Sequence, residues 1–258
     1  MKICVLVKQV PDHEAIVKVG AGGAIEVEDR WVTNFFDEIA VEQALRLREA
    51  HGGTVTAIAA GGGKQVDALR RALAMGADAA VQIDDPALAE ADGLGKARAL
   101  AACASSLGAD VVLAGRAALD DEQGLVGPAV AERLGWPHVA GIVRLEVAAG
   151  GAFRAVRLVE GGRDTVEGSL PALFTATKGL ADPRVPKVMQ VMKASKARMD
   201  KRDLASLGVD AAAVAPAARV VGYRAPPGRP PVVMMEGEVA DKVRAIAEIL
   251  RAHAGARS

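Results

Sequence analysis

Residues 54–83, TVTAIAAGGGKQVDALRRALAMGADAAVQI, decide the fold. Thr54–Ala60 and Ala79–Ile83 are short apolar runs, as strands covered on both faces of a parallel sheet should be. Between them Lys64–Met75 carries apolar residues at helical spacing and stops at Gly76, a glycine where a helix needs a left-handed cap. Strand, helix and strand follow within roughly 30 residues, the size of a βαβ unit. Reading outward, Lys2–Val7 (KICVLV) and Asp110–Ala114 (DVVLA) have the same strand texture. Asp37–Ala50 reads as a helix with Asp37 at the capping position and Ala40, Val41, Ala44 and Leu45 on one face. Asp92–Leu107 reads as another that ends at Gly108. Strand alternating with helix predicts an α/β fold: a doubly wound, mostly parallel sheet.

After Gly135 the texture changes. Val139–Val147 and Ala152–Val159 alternate apolar with polar around Ala149-Gly150-Gly151, which predicts a hairpin, and Leu170–Thr177 is a further strand. These segments are expected to extend the same sheet with antiparallel strands. Ala181–Pro186 reads as a loop, and Lys187–Lys201 is basic with Val188, Met189, Val191 and Met192 set into it. Ala205–Val233 has little periodicity and four prolines between Pro226 and Pro231, and reads as an extended arm. A last amphipathic helix, Val239–His253, places Val243, Ile246, Ile249 and Leu250 on one face. The expected division is a nucleotide-binding domain over 1–204, with a loop at 183–196, and an arm with a helix over 205–258.

Composition narrows the function. The 258 residues are 51% hydrophobic, with 32 basic residues against 32 acidic ones. That balance lacks the broad basic surface of non-specific nucleic-acid binding. Cys4 and Cys103 are the only cysteines, and four scattered histidines show no zinc-ligand spacing, so disulfide frameworks and Cys-rich metal sites are excluded. Nothing reads as a signal peptide or a membrane span. A reduced, soluble, cytoplasmic protein is expected. Two Trp, one Tyr and four Phe leave the core to small aliphatic residues, which suits helix-on-sheet packing.

An open α/β sheet binds ligands beyond the carboxyl ends of its strands. Three segments lie there: Lys8–His13 with Asn34–Asp37, the glycine-rich turn Ala60–Gly63, and Gly115–Pro128 (GRAALDDEQGLVGP). The third puts acceptors (Asp120, Asp121, Glu122), the amide Gln123 and glycines at a helix N-terminus, where backbone N–H groups can cradle phosphate. A capped turn explains the same residues equally well. Gly61-Gly62-Gly63 does not match G-x-G-x-x-G and reads as a tight turn. No G-x-S-x-G, H-E-x-x-H or Walker A is present, so no catalytic residue and no enzymatic chemistry is assigned.

From Met1 to about Asp210 the chain resembles the β subunit of electron transfer flavoproteins. The resemblance is carried by Val5–Asp12 (VLVKQVPD), Asn34–Glu42 (NFFDEIAVE) and Ala72–Asp78 (ALAMGAD). It continues through Leu170-Pro171-Ala172, Thr177–Leu180, Asp182-Pro183-Arg184, Met192-Lys193-Ala194, Asp203-Leu204 and Leu207-Gly208-Val209. It implies a Rossmann-like sheet of the adenine-nucleotide alpha-hydrolase kind. It also implies a heterodimer with an α subunit that holds most of the FAD and passes electrons from flavin dehydrogenases to a quinone oxidoreductase or similar acceptor. The β subunit's own nucleotide is AMP in one branch and a second FAD in the electron-bifurcating branch.

Carried over by position, that nucleotide would meet Leu6, Asn34, Phe35, Phe36, Asp37, Ala60, Gly115, Arg116, Ala117, Ala118, Leu119, Asp120, Asp121, Glu122, Gln123, Gly124, Leu125 and Val126. His13 and Phe36 would face the α-subunit flavin. Pro183, Arg184, Val188, Met189, Met192, Lys193 and Lys196 would dock dehydrogenases, with Val188 where a leucine anchor is common. Charge would steer that encounter while a small apolar anchor makes the contact. The chain departs from the pattern at Glu122, longer than the usual Asp, at Leu125, alkyl where an amide is usual, and at Phe35, where proline is usual. One lost hydrogen bond to a charged phosphate costs about 1.5–3 kcal/mol. Thr177-Lys178-Gly179-Leu180 resembles the bifurcating or nitrogen-fixation-associated branch. A reading from another class is an adenine-nucleotide sensor of the universal-stress-protein kind, which predicts homodimers, a G-x-x-G phosphate loop and no long arm.

Overall fold

The computed structural model describes residues 1–255. Among them, strands β1 (Lys2–Leu6), β6 (Thr54–Ala60), β7 (Ala79–Ile83) and β8 (Val111–Gly115) are the four apolar runs read from the sequence. β1 pairs in parallel with β6 on one side and with β8 on the other, and β6 pairs in parallel with β7. The chain therefore builds outward from β1 in one direction, then returns to start β8 on its opposite edge. Strand order reverses between β1 and β8.

The alternation of β1 shows why both faces are covered. Ile3, Val5 and Val7 join one core with Ile39, Leu45, Leu69 and Met75. Cys4 and Leu6 join a second core with Leu100, Cys103, Val130 and Ala131. The first core packs helices α1 (Phe35–His51) and α2 (Gln65–Met75), the second α3 (Gly93–Ser106) and α4 (Val126–Leu134). The fold is a doubly wound α/β sheet. Burial drives the Cys4 thiol up to about 12, and Cys103 adds to the effect.

The other sheet strands are β9 (His138–Val147), β10 (Ala152–Val159), β11 (Gly162–Ser169), β12 (Ala172–Ala176) and β13 (Asp200–Arg202). Among the described residues the order is β11-β10-β9-β12-β8-β1-β6-β7-β13. The predicted hairpin is β9–β10, and β11 extends it antiparallel. β12 differs from the expectation: it lies in parallel between β8 and β9, because its five residues ALFTA are all buried and need cover on both faces. Two small antiparallel ribbons stand apart, β2 (Gln9–Pro11) with β5 (Trp31–Thr33) and β3 (Val17–Val19) with β4 (Ile25–Val27).

The expected arm begins later than residue 205. One compact unit covers Met1–Gly222. Val214 is fully buried, Ala211–Val214 is a 3-10 turn, and the Ala217 N–H donates to Asp92 Oδ2 at 2.8 Å. These contacts place 205–217 in the first unit, so the sequence boundary at 204/205 is corrected to Gly222. The second unit, from Tyr223, is irregular chain followed by α6 (Val239–Gly255), whose Val239, Val243, Ile246, Ile249 and Leu250 are exposed.

Candidate functional site at the sheet switch point

The reversal of strand order opens a cleft of about 140 Å³ beyond the carboxyl ends of β1 and β8. This is where a doubly wound sheet places its ligand. Its rim is tied together by the first turn of α1. The sequence reading made Asp37 the cap of this helix; the N-cap is Asn34, and Asp37 sits one turn inside it. The buried Asn34 amide donates to Asp37 Oδ1 at 2.8 Å and to the Ala117 carbonyl at 2.9 Å. Its oxygen accepts the Leu119 N–H at 3.2 Å. Asp37 Oδ2 accepts the Lys8 N–H at 2.8 Å, and Oδ1 accepts the Gly115 N–H at 3.0 Å. Two side chains thus fix the exits of both strands. Burial pushes the Asp37 carboxyl up to about 7, while the N–H groups of Asn34, Lys8 and Gly115 pull it down.

Glycine at 115 has a steric reason. A Cβ there would collide with Asp37 Oδ1 and stand 2.8 Å from Phe36 Cβ. Arg116 follows, its guanidinium 4.7 Å from the centre of the Phe36 ring.

The loop from Ala118 to Leu125 closes the far side. The Glu122 N–H donates to the Ala118 carbonyl at 2.8 Å, and Glu122 takes a left-handed φ of 48°. The Lys8 ammonium holds two of the three loop carboxylates, Asp120 at 2.7 Å and Asp121 at 3.2 Å. α4 then starts without a side-chain cap, because Leu125 occupies the N-cap position. Its first residues, Val126 and Gly127, border the cleft, and the N–H groups of a helix's first turn have no partner within the helix. Gly127 lets α4 approach β12: a Cβ would stand 2.6 Å from Thr175 Cγ2.

Of the residues expected from sequence, Leu6, Asn34, Asp37, Ala60, Gly115, Arg116, Ala117, Ala118, Asp121, Gln123, Gly124, Leu125 and Val126 line this cleft. Phe35, Phe36, Leu119, Asp120 and Glu122 do not line it. Phe35 is exposed and packs edge-on to Phe36, with ring centres 5.6 Å apart. His13 is exposed, beside Asp12 and Glu14. Lys8, at the start of the Lys8–His13 segment placed here from sequence, also lines the cleft, as do Gln65, Gly93 and Lys96, which were not assigned to it. The pair Gly93-x-Gly95 before Lys96 was the available signal for α3: a Cβ at Gly95 would collide with the Val214 carbonyl, and one at Gly93 would meet Leu125 Cδ2 at 3.3 Å.

The basic segment forms a separate surface. Helix α5 (Val188–Ser195) exposes Val188, Met189, Val191 and Met192, with Val185 before it and Lys193 and Lys196 alongside. Pro183 is half-buried. Arg184 is engaged: its guanidinium bonds Glu42 at 2.7 and 3.0 Å and Glu49 at 2.7 Å. Burial pushes the Glu42 carboxyl up, and Arg184 with Arg46 outweighs it, holding the carboxyl below its usual range. Arg184 therefore anchors the base of the segment on α1.

The chain is similar in sequence to known proteins. The model of the electron transfer flavoprotein domain matches residues 22–221. This chain belongs to the electron transfer flavoprotein β-subunit family. The electron transfer flavoprotein subunit beta of Bacillus subtilis is 34% identical over 255 residues, covering 98% of this chain and 99% of the relative. That of Clostridium acetobutylicum is 38% identical over 195 residues, 75% of each chain. The human subunit is 36% identical over 218 residues, 81% of this chain and 84% of the relative. The family span ends one residue before the compact unit does and takes in α5 and most of the cleft, whose Leu6, Val7 and Lys8 precede it. No helix among the described residues is long and apolar enough to cross a membrane.

Proposed function

We propose that this chain is the β half of a heterodimeric electron carrier. It pairs with an α subunit that holds the FAD, accepts electrons from flavin dehydrogenases and delivers them to a quinone oxidoreductase or similar acceptor. The observation that carries the reading is full-length similarity to electron transfer flavoprotein β subunits. Membership of that family sets aside the stress-protein-like sensor. The exposed apolar residues of α6 and of the segment before it, Val232, Val233 and Met234, fit burial against a permanent partner. The chain supplies surfaces and a nucleotide site; the redox group, when bound, supplies the one- and two-electron chemistry.

In the cleft we place an adenine nucleotide, AMP. Leu6, Ala60 and Leu100 offer apolar walls at one end, and the uncapped start of α4 offers N–H donors at the other. Helix α5 serves as the docking element for dehydrogenases, its apolar residues making the contact and its lysines steering the approach.

The test is co-expression with an α subunit of the same family. A 1:1 flavin-containing complex, bleached by a flavin dehydrogenase and its substrate, supports the proposal. A chain that purifies as a stable monomer indifferent to the α subunit overturns it.

A further inference from the structure

We propose that Lys96 is the cation that binds the nucleotide's phosphate, and that it sets the cleft's preference for adenosine 5′-phosphate over adenosine. This inference rests on the reading of the cleft as an adenine-nucleotide site.

The charged side chains lining the cleft are Lys8, Asp37, Lys96, Arg116 and Asp121. Four of them are engaged. Lys8 is bonded to Asp120 and Asp121, and Asp121 also accepts the Gln123 N–H. Asp37 is bonded to Asn34, Lys8 and Gly115. Arg116 lies over Phe36. The Lys96 ammonium makes no hydrogen bond or ion pair among the described residues, although the residue is half-buried; the Arg116 guanidinium likewise has no carboxylate partner but is stacked on the Phe36 ring. Burial holds its ammonium below the usual lysine range, with Lys8 adding to the effect. A half-buried ammonium with no directly bonded partner has lost water, and the carboxylates of Asp120, Asp121 and Asp92 offset only part of that loss; an anion in the cleft restores the balance.

The backbone puts Lys96 in the right place. It lies one turn inside α3, and side chains on a helix lean toward its N-terminus. That N-terminus is already capped, Asp92 Oδ1 accepting the Leu94 and Gly95 N–H groups at 3.0 and 2.9 Å. It packs against the start of α4, where Gly93 meets Leu125. Lys96 thus shares a wall with the uncapped N–H groups of α4. The loop beside it presents the alkyl chain of Leu125, which carries no charge or hydrogen-bonding group, so the cation on this wall comes from Lys96 of α3.

Calorimetric titration of the complex with its α subunit, stripped of nucleotide, tests this with AMP and adenosine as probes. The wild type is expected to bind AMP more tightly than adenosine. Lys96→Gln is expected to weaken AMP roughly ten- to hundredfold and leave adenosine unchanged, while Lys96→Arg keeps the preference for AMP. Equal loss of both ligands in Lys96→Gln, or AMP binding at the wild-type level, overturns the assignment. A wild-type complex that binds neither ligand overturns the adenine-site reading itself, and Lys96's role with it; that failure shows before any variant is made.

Discussion

The Gly115 N–H donates to Asp37 Oδ1 at 3.0 Å, joining residues 78 positions apart in the chain. Through this bond the first turn of α1 holds the exit of β8, and through Lys8 the same carboxylate holds the exit of β1. The cleft is as rigid as this one side chain makes it. Asp37→Asn keeps an acceptor for Asn34 and Gly115 but turns an NH2 toward the Lys8 N–H. Loss of about 1–3 kcal/mol in chemical denaturation is expected.

Gly115→Ala tests the same junction sterically. The added methyl meets Phe36 Cβ at 2.8 Å and collides with the Asp37 carboxylate. Overpacking of this kind costs about 1–3 kcal/mol, and a lowered Tm is the readout.

The Asp37 carboxyl also sets a pH dependence. Its ordinary value of 3.8 rises to about 7 in the folded chain, chiefly through burial. The folded state therefore binds more protons than the unfolded one between these values, and the Asp37 contribution to stability falls as pH rises from about 4 to about 7. Glu42, Glu49 and Asp92 are lowered and act in the opposite sense. The stability difference between wild type and Asp37→Asn isolates the term: it should shrink from pH 4 to 7 and then level off. A difference that stays flat across this range contradicts the account.

Arg184→Ala removes the partner of Glu42, whose side chain is 5% exposed. Arg46 remains on Glu42, so loss of the second guanidinium should destabilise the chain by about 1–2 kcal/mol and loosen residues 183–187, seen as faster amide exchange there.

Met189 is 81% exposed, so Met189→Glu should leave Tm within about 0.5 kcal/mol of wild type in stability terms. Its effect should appear in the rate of reduction by a dehydrogenase, which falls steeply if α5 docks the partner and stays unchanged if it does not.

Much of this architecture was legible because buried parallel strands announce themselves. KICVL, TVTAIAA, AAVQI and VVLAG are apolar nearly throughout, and each became a sheet strand. β11, with sequence GRDTVEGS, carries no such signal, since it is an edge strand with most residues exposed. β13 is the tripeptide DKR, recruited by pairing with β7 rather than by its own propensity. The parallel placement of β12 depends on a crossover that no local pattern encodes. In the cleft, Asn34, Asp37 and the loop from Gly115 were visible as polar and glycine positions after strands. Lys96 was not, because a lysine on a helix ordinarily reads as solvated surface. Only the packing of the start of α3 on the start of α4 turns it inward.

Nucleotide content measures the central claim most directly. The chain is co-expressed with its α subunit, the complex is purified and denatured, and FAD and AMP are quantified by chromatography. One FAD and one AMP per heterodimer is the predicted result. Two FADs, or a complex with no flavin at all, would contradict it.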